Sequence, residues 1–128
     1  MGHIFISYSH EDKSYARKLR EKLRSRGFTV WIDEHNIPPI SPFPREIENA
    51  ICACAALVVI MTPAAAKSDW VEQELLVAKR ENKPICPLLL QGDVFTLLIN
   101  RQYIDVTNRK LPPDSFYEVL GSVDIESA

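Results

Sequence analysis

The chain has only four glycines, Gly2, Gly27, Gly92 and Gly121, in 128 residues. No three of them fall at the close spacing of a dinucleotide-binding fingerprint, so that way of holding a nucleotide is excluded. The loop from Glu34 to Pro44 contains no glycine and is stiffened by Pro38, Pro39, Pro42 and Pro44. Cysteine is also scarce. Cys52, Cys54 and Cys86 are odd in number, form no Cys-x-x-Cys pair and have no histidine at metal-site spacing, so no metal centre is expected. They read as reduced, partly buried small residues of a cytoplasmic protein. No run approaches the roughly 18–20 apolar residues of a membrane span, and no secretory leader opens the chain, so no membrane partner is expected. With 15 basic against 17 acidic residues and a formal charge of −2, the chain lacks the basic stripe that a nucleic-acid partner would require. Its one basic cluster, Arg17 to Arg26, has leucines at helical spacing and includes Glu21, and reads as a solvated helix face.

What is present is ordinary in bulk and ordered in pattern. A hydrophobic content of 46% with 25% charged residues is that of a globular domain able to bury about two thirds of its unfolded surface. Residues 1–128 read as a single domain without repeats, readable as the N-terminal module of a larger protein. Apolar strands alternate with helical spacings throughout. His3–Ser7 is a strand, Glu11–Arg26 a helix stopped by Gly27, and Phe28–Asp33 a second strand. A helix from Phe43 or Pro44 to Cys54 precedes the buried strand Ala55–Met61, and Thr62–Ala66 reads as a loop. A helix from Asp69 runs to about Asn82. Ile85–Leu90 is a fourth strand, in which Pro87 argues against a fully paired central ladder. Gln91–Arg101 reads as a loop that can hold one helical turn, Tyr103–Val106 as a weak fifth strand and Asp114–Ser122 as a closing helix. Five strands separated by helices imply an α/β, flavodoxin-like three-layer sandwich with a parallel sheet of order 2-1-3-4-5. Its switch point lies between strands one and three, where the loops Ser7–Asp12 and Met61–Asp69 meet.

Trp70 and Glu74 border that crevice. Asp69 with Glu72 has capping-box spacing, which opens the helix there. The i, i+4 spacing then puts the indole and the carboxylate on one stripe. With Val71 as reference, Leu75 and Ala78 lie within roughly 40° of it, Glu74 about 60° from the centre of that arc and Trp70 about 100°. Glu74 is thus a rim residue, neither freely solvated nor fully buried. A carboxylate beside an aromatic plate at a switch point suits a ribose-sized ligand; an ordinary surface glutamate and a packing tryptophan are the plain alternatives.

Fold alone does not choose the chemistry. A phosphoacceptor would need an acidic pair after strand one and an aspartate after strand three, where Ser7-Tyr-Ser-His10 and Met61-Thr-Pro63 stand. A flavin site would need a glycine-rich phosphate loop, and Ser7–Asp12 has hydroxyls but no glycine.

The chain resembles the TIR (Toll/interleukin-1 receptor) domain family in its bacterial form. The resemblance is carried by Ile4-Phe-Ile-Ser-Tyr-Ser-His-Glu-Asp12, Gly27-Phe-Thr-Val-Trp-Ile-Asp33, Ile47–Ile51, Ser68-Asp-Trp-Val-Glu-Gln-Glu-Leu75 with Ala78, and Lys83-Pro-Ile-Cys-Pro-Leu88. It implies either cleavage of NAD, as substrate and without a prosthetic group, or a scaffold that associates with other TIR domains as a homo-oligomer or filament. In the enzymatic branch the catalytic glutamate follows the tryptophan by four residues, which is Glu74 here, with Trp70 offering a flat face to the substrate. The resemblance also places Tyr8 and Ser9 beside the nicotinamide pocket, and Asp33, Ser41 and Phe43 on its other side or against a neighbouring subunit. Plain alternatives stand beside each: Tyr8 and Ser9 as loop caps, Asp33 as a loop brace, Phe43 as a hydrophobic staple and His10 as a loop hydrogen-bonder. A nucleoside deoxyribosyltransferase-like enzyme, with a glutamate at ribose C1′, is a third reading. The proline-stiffened loop 36–44 departs from the glycine-bearing family pattern and offers no close backbone approach to phosphates.

Overall fold

The computed structural model describes residues 2–32 and 44–127, with side chains through residue 123. Its elements in chain order are β1 (Ile4–Ser7), α1 (Lys13–Ser25), β2 (Val30–Ile32), α2 (Arg45–Cys52), β3 (Ala56–Met61), α3 (Pro63–Ala66), α4 (Asp69–Arg80), β4 (Ile85–Leu89), β5 (Ile104–Asp105) and α5 (Asp114–Ser127). Single 3-10 turns lie at His10–Asp12 and Thr96–Leu98. All strand pairs are parallel and the order is β2-β1-β3-β4-β5, so the doubly wound expectation holds.

Side-chain alternation divides the core into two layers. Ile4 and Ile6 of β1, Ala56, Val58 and Ile60 of β3, and Leu88 of β4 pack against Ala16, Leu19 and Leu23 of α1 and Phe116 and Leu120 of α5. Phe5, Leu57, Val59, Met61, Ile85 and Leu89 face the other way, onto Ile47 and Ile51 of α2 and Val71, Leu75 and Ala78 of α4. Both faces of β1 and β3 are therefore covered, which is why these strands read as unbroken apolar runs rather than alternating ones. Ser7 has the parity of Phe5. The last residue of β1 thus presents a hydroxyl to the α2/α4 layer.

Three local expectations are revised. Thr62–Ala66 is not a plain loop, because Pro63–Ala66 forms the short helix α3. Thr62 Oγ1 accepts the Ala65 N–H, and proline at the first turn with alanines behind it supports a helix. The N-cap of α4 is Ser68, whose Oγ accepts the Val71 N–H. Asp69 therefore stands in the first turn, where its charge complements the helix dipole. Pro87 does not interrupt the central ladder, since β3 and β4 stay in register from Leu57↔Ile85 to Met61↔Leu89. Pro84 O accepts from Leu57 N and Leu90 N donates to Met61 O, whereas Leu89 O accepts from Val106 N. Even-numbered residues of β4 therefore bond β3 and odd-numbered ones face β5. The missing N–H of Pro87 is lost from the β5 side, where only two residue pairs form.

The turn from α1 to β2 depends on Gly27, at φ +92°. Gly27 N–H bonds Arg24 O and Phe28 N–H bonds Leu23 O, a Schellman closure. A Cβ there would meet nothing within 4 Å, so Gly27→Ala tests backbone conformation alone. We expect it to lower unfolding free energy by about 1–2 kcal/mol, read as a shifted urea midpoint with unchanged slope.

A second prediction concerns the α1/α5 layer. Tyr15 donates to Lys110 O at 2.8 Å, and burial foremost, then the neighbouring Tyr117, push its pKa up from 10.0 to about 12. Folding favours the neutral phenol, so its contribution is complete below pH 10 and is lost as pH rises toward 12. Tyr15→Phe should cost about 1 kcal/mol near neutrality by loss of that hydrogen bond. Its deficit relative to wild type should narrow through the alkaline window in denaturant titrations.

Candidate active site

Ser7 and Glu74 meet at the carboxyl end of β1. Glu74 is only 4% exposed and Ser7 is fully buried. The serine hydroxyl donates to Glu74 Oε1 at 2.6 Å, a short O–H···O hydrogen bond. Glu74 is more deeply buried than its position on the helical wheel suggested. The wheel treats the layer beneath as uniform, whereas the strand end offers a polar notch that draws the carboxylate in. Trp70, one turn earlier on the same stripe, is half-buried with its indole nitrogen enclosed.

The two crevice loops are tied together. Thr62 Oγ1, after β3, donates to Asp12 Oδ2, after β1, at 2.6 Å. The same Thr62 oxygen caps α3, so one buried hydroxyl sets the entry to α3 and the spacing of the loops. Ser9 is buried and its Oγ accepts the Glu11 N–H at 3.3 Å, the capping geometry that was the plain alternative for it. Tyr8 is buried in the α1/α5 layer, tilted against His10 with ring centroids 6.0 Å apart. The structure thus brings Ser7, Glu74 and Trp70 to one side of the strand end and places Tyr8 on the other. Asp33, Ser41 and Phe43 lie outside the described residues.

Sequence reasoning did not single out Ser7, Asp12 or Thr62. A signal existed for Ser7, because it is the one polar residue of the otherwise apolar strand β1. Burial pushes the Cys54 and Cys86 thiols up to about 11, the direction opposite to that of an activated thiolate. No group of three or more potential metal ligands occurs among the described residues, and none of their helices is long and apolar enough to cross a membrane. A cavity of about 460 Å³ opens beside α3, lined by Pro63, Val71, Leu75, Gly92 and Phe95 among others, and Glu74 is not one of its walls. We place the site by the buried, held carboxylate rather than by that volume, because catalytic chemistry needs a reacting group.

The family model described as the TIR domain matches residues 4–120. The chain belongs to the TIR domain family. It is 37% identical over 79 residues to the NAD(+) hydrolase TcpA of Theionarchaea archaeon (strain DG-70-1), covering 59% of this chain and 24% of that protein. Against the 2′ cyclic ADP-D-ribose synthase BtTIR of Bacteroides thetaiotaomicron it is 36% identical over 90 residues, covering 66% and 31%. This TIR domain thus spans about a quarter to a third of these curated relatives. Among solved structures, the TIR domain of the Toll-related receptor TRR-2 from Hydra magnipapillata superposes with a TM-score of 0.77 at 21% identity, covering 97% of this chain and 99% of that one. This last likeness concerns the fold.

The Thr62 tie yields a prediction. Thr62→Ala removes the α3 cap and the donor to Asp12, and should destabilise the TIR domain by about 1–2 kcal/mol in chemical denaturation. Thr62→Ser keeps both hydrogen bonds and should retain most of that stability.

Proposed function

We propose that this TIR domain cleaves the nicotinamide–ribose bond of NAD, in signalling or defence, with Glu74 as the catalytic carboxylate and self-association as the activating step. The observation that carries the reading is the buried Glu74 carboxylate, held by Ser7 at the switch point of the sheet. The relatives that hydrolyse NAD or make cyclic ADP-ribose support it. In the reaction the C1′–N bond breaks and its electron pair leaves with nicotinamide. The ring nitrogen is already cationic and departs neutral, so no general acid is required. The ribosyl group passes through an oxocarbenium-like state. Glu74 stabilises that cation and holds the ribose hydroxyls, and Trp70 supplies an apolar face. Attack by water at C1′, with loss of a proton to solvent, gives ADP-ribose; attack by a nucleophile within the same molecule gives a cyclic product.

The test is nicotinamide release from NAD over a range of protein concentrations, with Glu74→Gln as control. Turnover should rise more than linearly with concentration, and Glu74→Gln should lower kcat by about 10²–10³-fold. Full turnover in Glu74→Gln would overturn the assignment. Absence of turnover in wild type under forced assembly would make the module a scaffold for homotypic association. Products formed only with an added free nucleobase would indicate base transfer.

A further inference from the structure

We infer that Ser7 is the positioning residue for the Glu74 carboxylate, a role that rests on the reading of Glu74 as the catalytic group. A glutamate on a packed helix keeps one loose torsion. Rotation about the last side-chain bond of glutamate is broad and roughly two-fold, so helix packing can fix where the carboxyl carbon sits without fixing the plane of its oxygens. A reaction at ribose C1′ depends on that plane, because it decides which oxygen faces the developing cation. The 2.6 Å bond from Ser7 Oγ to Glu74 Oε1 constrains that plane.

Ser7 suits this task for three reasons. It closes β1, and its register opposite Val59 of β3 is part of the continuous pairing Ile4↔Ala56 to Ser7↔Val59. Its backbone therefore shifts only with the sheet. It is fully buried, so water does not compete for its hydroxyl. Its alternation places it on the α4 side of the strand together with Phe5, and serine carries a donor there at nearly the smallest possible volume. The contact joins residues 67 apart in the chain. It is thus made by the fold and not by local helix geometry.

The experiment compares nicotinamide release by wild type, Ser7→Ala, Ser7→Thr and Glu74→Gln, with thermal unfolding of each. Ser7→Ala should lower kcat by about 10- to 100-fold while KM for NAD moves less than about threefold, the pattern of an interaction that matters in the transition state. Ser7→Thr keeps the donor and suits a strand, and should restore kcat to within about fivefold of wild type. If Ser7→Ala does not fold, Ser7→Cys, close in size but a weak donor, is read in its place. Unchanged kcat in a folded donor-free variant overturns the proposal, as does a loss confined to KM or one that Ser7→Thr fails to restore. Activity in wild type and in Ser7→Ala with none in Glu74→Gln defeats this proposal alone. Absence of turnover in wild type under forced assembly defeats the reading of Glu74 and this role with it.

Discussion

A carboxylate with 4% of its surface exposed depends on the protein for the hydrogen bonds that water would otherwise supply. Leaving it without them would cost several kcal/mol. The Ser7–Glu74 bond meets part of that demand, and other features of the domain follow from it. The donor must come from a rigid element, and β1 is paired on both edges and packed on both faces. It must also point toward α4, which the two-residue period of a strand ensures once Phe5 faces that layer. A leucine at position 7 would extend the core by one more apolar side chain, worth about 1.5–3 kcal/mol when fully buried. It would also leave the carboxylate without this donor. At this strand end an apolar run therefore gives way to a buried polar pair.

The switch point gives that exchange its location. β1 and β3 diverge into loops on opposite sides of the sheet, and the gap between them is where a side chain from α4 can descend to the strand end. Thr62 and Asp12 keep this gap at a defined width through a 2.6 Å bond between the two loops. Because the Thr62 oxygen also caps α3, the start of α3, the chain leading to Ser68 and the placement of α4 are mechanically related. The ladder loss caused by Pro87 falls on the opposite edge, at β5, which β3 and β4 separate from β1. The weakest pairing of the sheet is thus kept away from the strands that hold the site.

Most of the sheet was legible in the residues because its signals are dense. Five apolar runs, the helical spacing of Leu19 and Leu23, and Gly27 as a stop each pointed to one arrangement, and Gly27 adopts the positive φ that such a stop requires. Legibility failed where two local readings have similar energies. Ser68 and Asp69 are both good N-caps, and a one-residue choice between them is decided by tertiary fit. Thr62-Pro63 followed by alanines serves equally as a turn or as the start of a helix, and one side-chain cap tips it. The depth of Glu74 was misjudged for a different reason. A wheel describes one helix, and the polar notch belongs to a strand 67 residues away. The Thr62–Asp12 tie was hidden in the same way, since neither residue carries a local sign of the other.

That non-local origin bears on how a single carboxylate would serve the proposed reaction. On a solvated surface its attraction for a ribosyl cation would be screened by water, whereas at an effective dielectric near 20 the same separation gives about four times the interaction energy. Burial alone would also penalise the ionised form and favour a neutral acid of little use to a cation. A hydrogen-bond donor at one oxygen opposes that penalty while keeping the charge inside the fold. Depth and donor are therefore complementary. Depth would strengthen the field and a donor at one oxygen would favour the charged form, which is how a serine that touches no substrate would serve the proposed reaction.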